Sequence, residues 1–178
     1  GIADTYYQQQ DYSKAKDTYR FIVKNINISS IRNEAKMGIG NCLLKKKQYQ
    51  KAIDTYSSLK ETPAVKFQIG YTYYKASKFN NARDIMREVQ KKYPRSSYCI
   101  KALYHEGWCN FKLGEFKAAR DNFLKVYNEY PKHKLAQDAL LRLGDTYYNQ
   151  KQYKLAIENY QRVIEKYPDS QAAVYAYY

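Results

Sequence analysis

The chain has 178 residues, a formal net charge of +14 and a mean hydropathy of −0.81. That length holds one or two globular domains or one stacked repeat array, and no apolar run reaches the about 18 residues a membrane-spanning helix needs. Aromatic side chains make up 16% of the residues, 22 of them tyrosine, which is bulk enough for a sizeable core.

In chain order, residues 1–30 read as a helix–turn–helix unit entered part-way into its first helix. Ala3 is followed after nine residues by Tyr12, after twelve by Ala15 and after sixteen by Tyr19. The same skeleton returns in residues 31–62 as Gly40, Tyr49, Ala52 and Tyr56. It returns in residues 63–96 as Gly70, Phe79, Ala82 and Met86, and in 97–133 as Gly107, Phe116, Ala119 and Phe123. Residues 134–170 carry it as Gly144, Tyr153, Ala156 and Tyr160. The small residues are spaced by 37, 30, 37 and 37 positions. Self-similarity at such a period marks a stacked repeat protein. The small residue lets two helix backbones approach, and the large one fills the groove beside it.

The second unit is seven residues short. Ser29 or Ser30 is expected to cap its first helix, and Thr62-Pro63 reads as an N-cap with proline at the first helical position of the next unit. The short spacing predicts a tighter bend there. Units three to five each end in Tyr-Pro, at Tyr93-Pro94, Tyr130-Pro131 and Tyr167-Pro168, where proline stops the helix. Ser96 or Ser97, and Ser170, then offer N-caps. Residues 171–178 start another first helix. Its apolar end, Val174 to Tyr178, calls for a sixth unit, another domain or a partner, since a closing solenoid helix carries a polar outer face. With Gly1 in place of an initiator methionine, the chain reads as an excised piece of a longer one.

This pattern resembles the tetratricopeptide repeat family, which has glycine or alanine, alanine and proline at three fixed places of its repeat. Gly70, Ala82 and Pro94 stand there, as do Gly107, Ala119 and Pro131, and Gly144, Ala156 and Pro168. The resemblance implies an all-α fold, a right-handed α-solenoid of about five helix–turn–helix units plus a partial C-terminal helix. All of residues 1–178 would form that one solenoid. The longer period and the Tyr-Pro connectors look like the bacterial cell-envelope branch. That branch includes the periplasmic coordinator of the Tol-Pal system and the lipoprotein subunit of the outer-membrane barrel assembly machinery. It implies a periplasmic adaptor, with a cytoplasmic scaffold as the alternative; similar repeats also serve flagellar motors.

No catalytic constellation is present. The two histidines, His105 and His133, have no metal-ligand partner at helical spacing, the glycines form no phosphate loop, and no cofactor is implied. Cys42 and Cys109 share one repeat position and read as small residues in a tight helix contact. Glu106 stands where other units carry an apolar residue. It reads either as a polar contact for a ligand or as a side chain on a rotated helix reaching solvent or a lysine.

The surplus is aromatic. In the resembled family two columns of the first helix face the concave groove. Here they hold Asp4, Asn41, Tyr71, Trp108 and Asp145, and Tyr7, Leu44, Tyr74, Phe111 and Tyr148. On that mapping Phe67, Tyr71 and Tyr74 meet Tyr104, Trp108 and Phe111, an aromatic patch of the kind that binds partners. Lys75 and Lys112 rim it, and with Lys45, Lys46, Lys47, Lys78 and Lys101 they give one edge a positive field for acidic ligands. Phe67 and Tyr71 depart from the lysine–asparagine clamp that some relatives close on a terminal carboxylate, although Asn41 fits it. The sequence therefore predicts a non-enzymatic adaptor that binds a peptide or helix, acidic in its flanks, through Tyr7, Asn41, Phe67, Tyr71, Tyr74, Lys75, Tyr104, Trp108, Phe111, Lys112 and Tyr148. Two alternatives stay open: a polyanion binder that stacks single-stranded bases on its rings, and an oligomeric scaffold joined through the C-terminal helix.

Overall fold

The computed structural model describes residues 1–178, which form eleven α-helices and no strand. The chain makes two compact units, Gly1–Ile85 and Met86–Tyr178. The first holds α1 (Ile2–Gln8), α2 (Tyr12–Asn25), α3 (Ser29–Lys45), α4 (Tyr49–Ser57), α5 (Pro63–Lys75) and the start of α6 (Phe79–Lys92). The second holds the rest of α6, then α7 (Ser97–Lys112), α8 (Phe116–Glu129), α9 (Leu135–Asn149), α10 (Tyr153–Lys166) and α11 (Gln171–Tyr177). In the first, each helix from α1 to α4 packs on its successor; in the second, each helix from α7 to α10 does the same. Nearest-neighbour packing of this kind is how a repeat protein distributes its stability.

The two helices of every repeat are joined by the same turn. A residue in the left-handed region follows the first helix: Gln10, Lys47, Ser77, Gly114 and Lys151. The amide of the next residue reaches back to the carbonyl five positions earlier, as in Asp11 to Tyr6, Gln48 to Leu43 and Glu115 to Asn110. This is the Schellman closure, which satisfies carbonyls that the helix end leaves unpaired. Only Gly114 meets it with glycine. The other four hold a side chain at positive φ, a mild strain that the packed helix pair overrides.

The periodic small residues sit where expected. A Cβ added to Gly107 would lie 2.7 Å from the ring of Phe123, and Gly40 and Gly144 face the rings of Tyr56 and Tyr160 more tightly still. The first repeat differs: Ala3 replaces glycine, and room for Tyr19 comes from Gly38 on α3, whose Cβ would stand 2.5 Å from that ring. Ala15, Ala52, Ala82 and Ala119 are fully buried, as are Cys42 and Cys109.

The caps are partly as read. Thr62 accepts from the Val65 amide at 3.2 Å with Pro63 opening α5, Ser96 accepts from Tyr98, and Ser170 from Ala173. Ser29 and Ser30 do not cap. Helix α3 begins at Ser29 itself, behind Ile28, and no side chain caps it.

Candidate functional site

Each residue expected in the groove occupies a first helix of its repeat, but two physical roles divide them. Tyr7, Tyr74, Phe111 and Tyr148 meet, edge-on or tilted, the aromatic that opens the following helix. The pairs are Tyr7 with Tyr12, Tyr74 with Phe79, Phe111 with Phe116 and Tyr148 with Tyr153, at centroid distances of 5.3, 5.9, 5.7 and 5.5 Å. That is favourable aromatic geometry, and it staples the inter-helix turn. Tyr148 nevertheless stays exposed, and Tyr7, Tyr74 and Phe111 are half-buried.

The neighbouring column is the informative one. The Tyr19 hydroxyl donates to Asp4, the Tyr56 hydroxyl to Asn41 Oδ1 at 2.7 Å, and the Tyr160 hydroxyl to Asp145 Oδ1 at 2.9 Å. Each donor lies fifteen residues after its acceptor. Burial first, then the carboxylate, pushes the phenols of Tyr19 and Tyr160 above their ordinary range; burial alone leads for Tyr56. Where the large residue has no hydroxyl, at Met86 and Phe123, the partner column holds Tyr71 and Trp108 instead. Repeats one, two and five thus spend this position on an internal lock, and repeats three and four present a ring. Asn41 belongs to the lock: its Oδ1 is engaged by Tyr56.

In the first unit, Phe67 is buried and stacks on the half-buried Tyr71 at 6.0 Å, which stacks on Tyr74 at 6.3 Å. Lys75 Nζ lies 5.4 Å from the Tyr71 ring and 6.0 Å from Tyr74. In the second unit, Tyr104 is buried within the core around Leu103 and Phe123. Trp108 packs edge-on against Phe111 at 5.6 Å, and Lys112 Nζ lies 5.9 Å from both rings. Phe67 and Tyr104 therefore back the surface rings rather than offering surface themselves. The two patches repeat one design: a buried ring, a half-buried ring one turn on, and a lysine within cation–π reach of it. Neither Lys75 nor Lys112 pairs with a carboxylate.

Sequence reasoning missed Arg142. Its guanidinium lies 5.0 Å from the Trp108 ring and donates to Asp145 Oδ2 at 2.5 Å. Burial opposes its charge, but Asp145 and Tyr104 hold the group above its ordinary value. Burial conversely raises the nearby Asp138 carboxyl, against Arg142 and Lys134. No repeat column marks Arg142, so nothing in the spacing could have found it. The tyrosine locks were findable, because the two columns change together.

Glu106 is corrected. It is 7% exposed, and it reaches neither bulk solvent nor a lysine. Arg87 Nε donates to its Oε1 and Gln90 Nε2 to its Oε2, both at 2.7 Å. Both oxygens are engaged by α6, which is the pairing a buried carboxylate requires. No group of three or more His, Cys, Asp or Glu is placed to hold a metal.

A tetratricopeptide-repeat profile matches residues 64–96, 101–133 and 138–170, and a second tetratricopeptide-repeat profile matches residues 1–65. The chain belongs to the tetratricopeptide repeat family. Tetratricopeptide repeats fit a protein-interaction scaffold. Over 113 residues, 58% of this chain, it is 31% identical to the human (Homo sapiens) intraflagellar transport protein 88 homolog, of whose length it spans 13%. Among solved structures it is similar to YrrB, described as a tetratricopeptide-repeat protein with an unusual peptide-binding site. The TM-score is 0.68 at 21% identity, over 98% of this chain and 87% of that one. It is also similar to MamA from Desulfovibrio magneticus RS-1, with TM-score 0.75 at 16% identity over 95% and 94% of the two chains. These likenesses establish the fold of this tetratricopeptide-repeat chain, an α-solenoid.

Proposed function

We propose that this chain is a non-enzymatic adaptor segment that holds a peptide or helix of a partner protein on its aromatic patches, that of repeat three and that of repeat four each acting within its own unit. The observation that carries the reading is the departure of those two repeats from the tyrosine lock. Tyr71 and Trp108 stand half-exposed beside Lys75 and Lys112, cations with no carboxylate partner. Half-buried aromatics supply large contact area at low entropic cost, and unpaired lysines beside them favour acidic residues in the ligand. Tyr7, Asn41 and Tyr148 take no direct part in this reading.

The Tyr-Pro connectors support a place in bacterial envelope assembly, in the periplasm. The likeness to the intraflagellar transport protein 88 homolog favours a second reading, a scaffold within a ciliary or flagellar transport assembly. Under both, the partner is protein.

Trp108 is the only tryptophan, so its emission reports directly on the patch of repeat four. Adding an acidic, aromatic-anchored peptide should protect it from iodide quenching, and Trp108→Ala and Tyr74→Ala should each weaken binding about tenfold or more, as truncated hot-spot residues do. Unchanged affinity in both folded variants refutes the reading. Protection by short single-stranded RNA that disappears at high salt would replace it with the polyanion reading.

A further inference from the structure

The second repeat lacks more than spacing. Its closing helix α4 has nine residues, whereas α8 and α10 have fourteen. In the second unit the end of the longer helix delivers a tyrosine into the core. Tyr130 packs against the cluster that contains Tyr104, Val126 and Ala139. Tyr167 packs likewise against the cluster that contains Leu141 and Val163.

Counted from the small residue of each repeat, Met37, Leu59 and Val65 hold the places of Tyr104, Val126 and Ala139. No Tyr-Pro connector follows Leu59, and α5 begins four residues later, at Pro63. The place that Tyr130 fills in repeat four is open in repeat two. It is a cleft of about 530 Å³ lined by Met37, Leu59 and Val65 together with Ile22 and Ile31. That volume is within the usual range for ligand sites, about 300–1,000 Å³. Ile31 is left exposed at its edge.

The cleft mouth carries carboxylates on a chain whose net charge is +14. Asp4 and Glu34 contribute two carboxylates, and Lys60 the one ammonium. Asp4 is already engaged by Tyr19 and by the Gly1 ammonium at 2.8 Å, whereas Glu34 makes no ion pair and is exposed. Apolar walls shaped by the loss of a tyrosine, with the unpaired Glu34 carboxylate at the mouth, define one kind of occupant.

We propose that this cleft is a second binding site, separate from the Tyr71 and Trp108 patches, for a partner peptide that inserts one aromatic side chain flanked by basic residues. The inserted ring takes the place of the tyrosine that the shortened repeat omits, and Glu34 meets the basic flank. The proposal stands whether or not the rings of repeats three and four bind a partner.

The chain itself supplies a probe of this chemistry, since residues 91–96 read Lys-Lys-Tyr-Pro-Arg-Ser. A fluorescein-labelled hexapeptide of that sequence is titrated against the full chain by fluorescence polarisation, beside a control with alanine for tyrosine. The expected result is saturable binding, weakened at least tenfold in the control and at least tenfold by Glu34→Lys, an exposed position whose change leaves the helical circular dichroism intact. Met37→Trp, which fills the cleft, should remove binding, and Trp108 emission should not move. Equal affinity for the two peptides, or indifference to Glu34→Lys in a folded protein, overturns the proposal. A shift in Trp108 emission on binding also overturns it, because the peptide then sits on the other patch. Light scattering closes the remaining case. If the unliganded chain dimerises and both the hexapeptide and Glu34→Lys break the dimer, the occupant is a second copy of this chain and the partner-peptide assignment fails.

Discussion

Repeats two and four begin from the same plan and end differently. Both set a glycine against a fully buried ring, Gly40 against Tyr56 and Gly107 against Phe123. In repeat two the ring carries a hydroxyl that locks onto Asn41, and the closing helix stops early. In repeat four the ring is bare, the partner position holds Trp108, and the long closing helix ends in Tyr130, which is drawn into the core. One repeat locks its ring and leaves a cleft between its first helix and its short end; the other is sealed at its end and presents an aromatic on its first-helix face. Small changes at two columns and one connector therefore move the available surface from one part of a repeat to another, while the helix pair beneath stays the same.

The end of the repeat gives the largest expected effect. Tyr130→Ala removes a half-buried ring packed on the core of repeat four, and should cost about 2–3 kcal/mol, near the lower end of large-to-alanine core changes. Urea denaturation measures it. If the loss is negligible, Tyr130 is not a plug, and the cleft of repeat two is not the mark of a missing one.

Exchanging the two rings comes next. Phe123→Tyr puts a hydroxyl in the place from which Tyr56 bonds Asn41, but there it meets Trp108, whose indole offers no acceptor. A buried, unsatisfied hydroxyl should cost about 1–3 kcal/mol, whereas Tyr56→Phe, which only loses the bond to Asn41, should cost about 1 kcal/mol. The same denaturation series checks both. A Phe123→Tyr variant as stable as the parent would mean that repeat four can be locked like repeat two, and that its bare ring is incidental.

The smallest effect is a pH dependence that belongs to repeat four alone, because repeat two has no such connector. His133 Nδ1 accepts from the Leu135 amide at 3.2 Å, which requires the neutral ring. Burial, then Lys134 and Lys101, lowers its pKa below the ordinary 6.5. The unfolded chain thus binds the proton more readily, so this contribution is present above about pH 6.5 and is lost as pH falls toward the lowered folded value. Comparing His133→Gln with the parent across that window isolates it. A slope unchanged by the substitution would show that His133 contributes none of the pH dependence.

The helix pairs and the core columns were legible in the sequence because their cause is periodic. A glycine or alanine that admits a ring must recur in every repeat, and so must Thr62-Pro63 or Ser96 at the head of a helix. The site was legible only as a set of columns. Tyr7, Tyr74, Phe111 and Tyr148 share a first-helix position, and the packing also sets each against the aromatic that opens the next helix. Asn41 fell in the same set of columns, but its side-chain oxygen accepts from Tyr56. Ser29 looked like a cap, but the helix runs one residue further back and begins at Ser29 itself, behind Ile28.

By itself, the sequence determined the repeat family, the number and order of helices through the fifth repeat, and the register of small against large residues, because each follows from a local pattern repeated at fixed intervals. Tertiary structure alone decided which aromatics remain on the surface, that Glu106 is held by Arg87 and Gln90, that Arg142 lies over Trp108, and that a shortened helix opens a cleft in repeat two. Those are contacts between residues of different helices. They depend on how one helix is turned and how far another extends, and a single-helix pattern carries neither quantity.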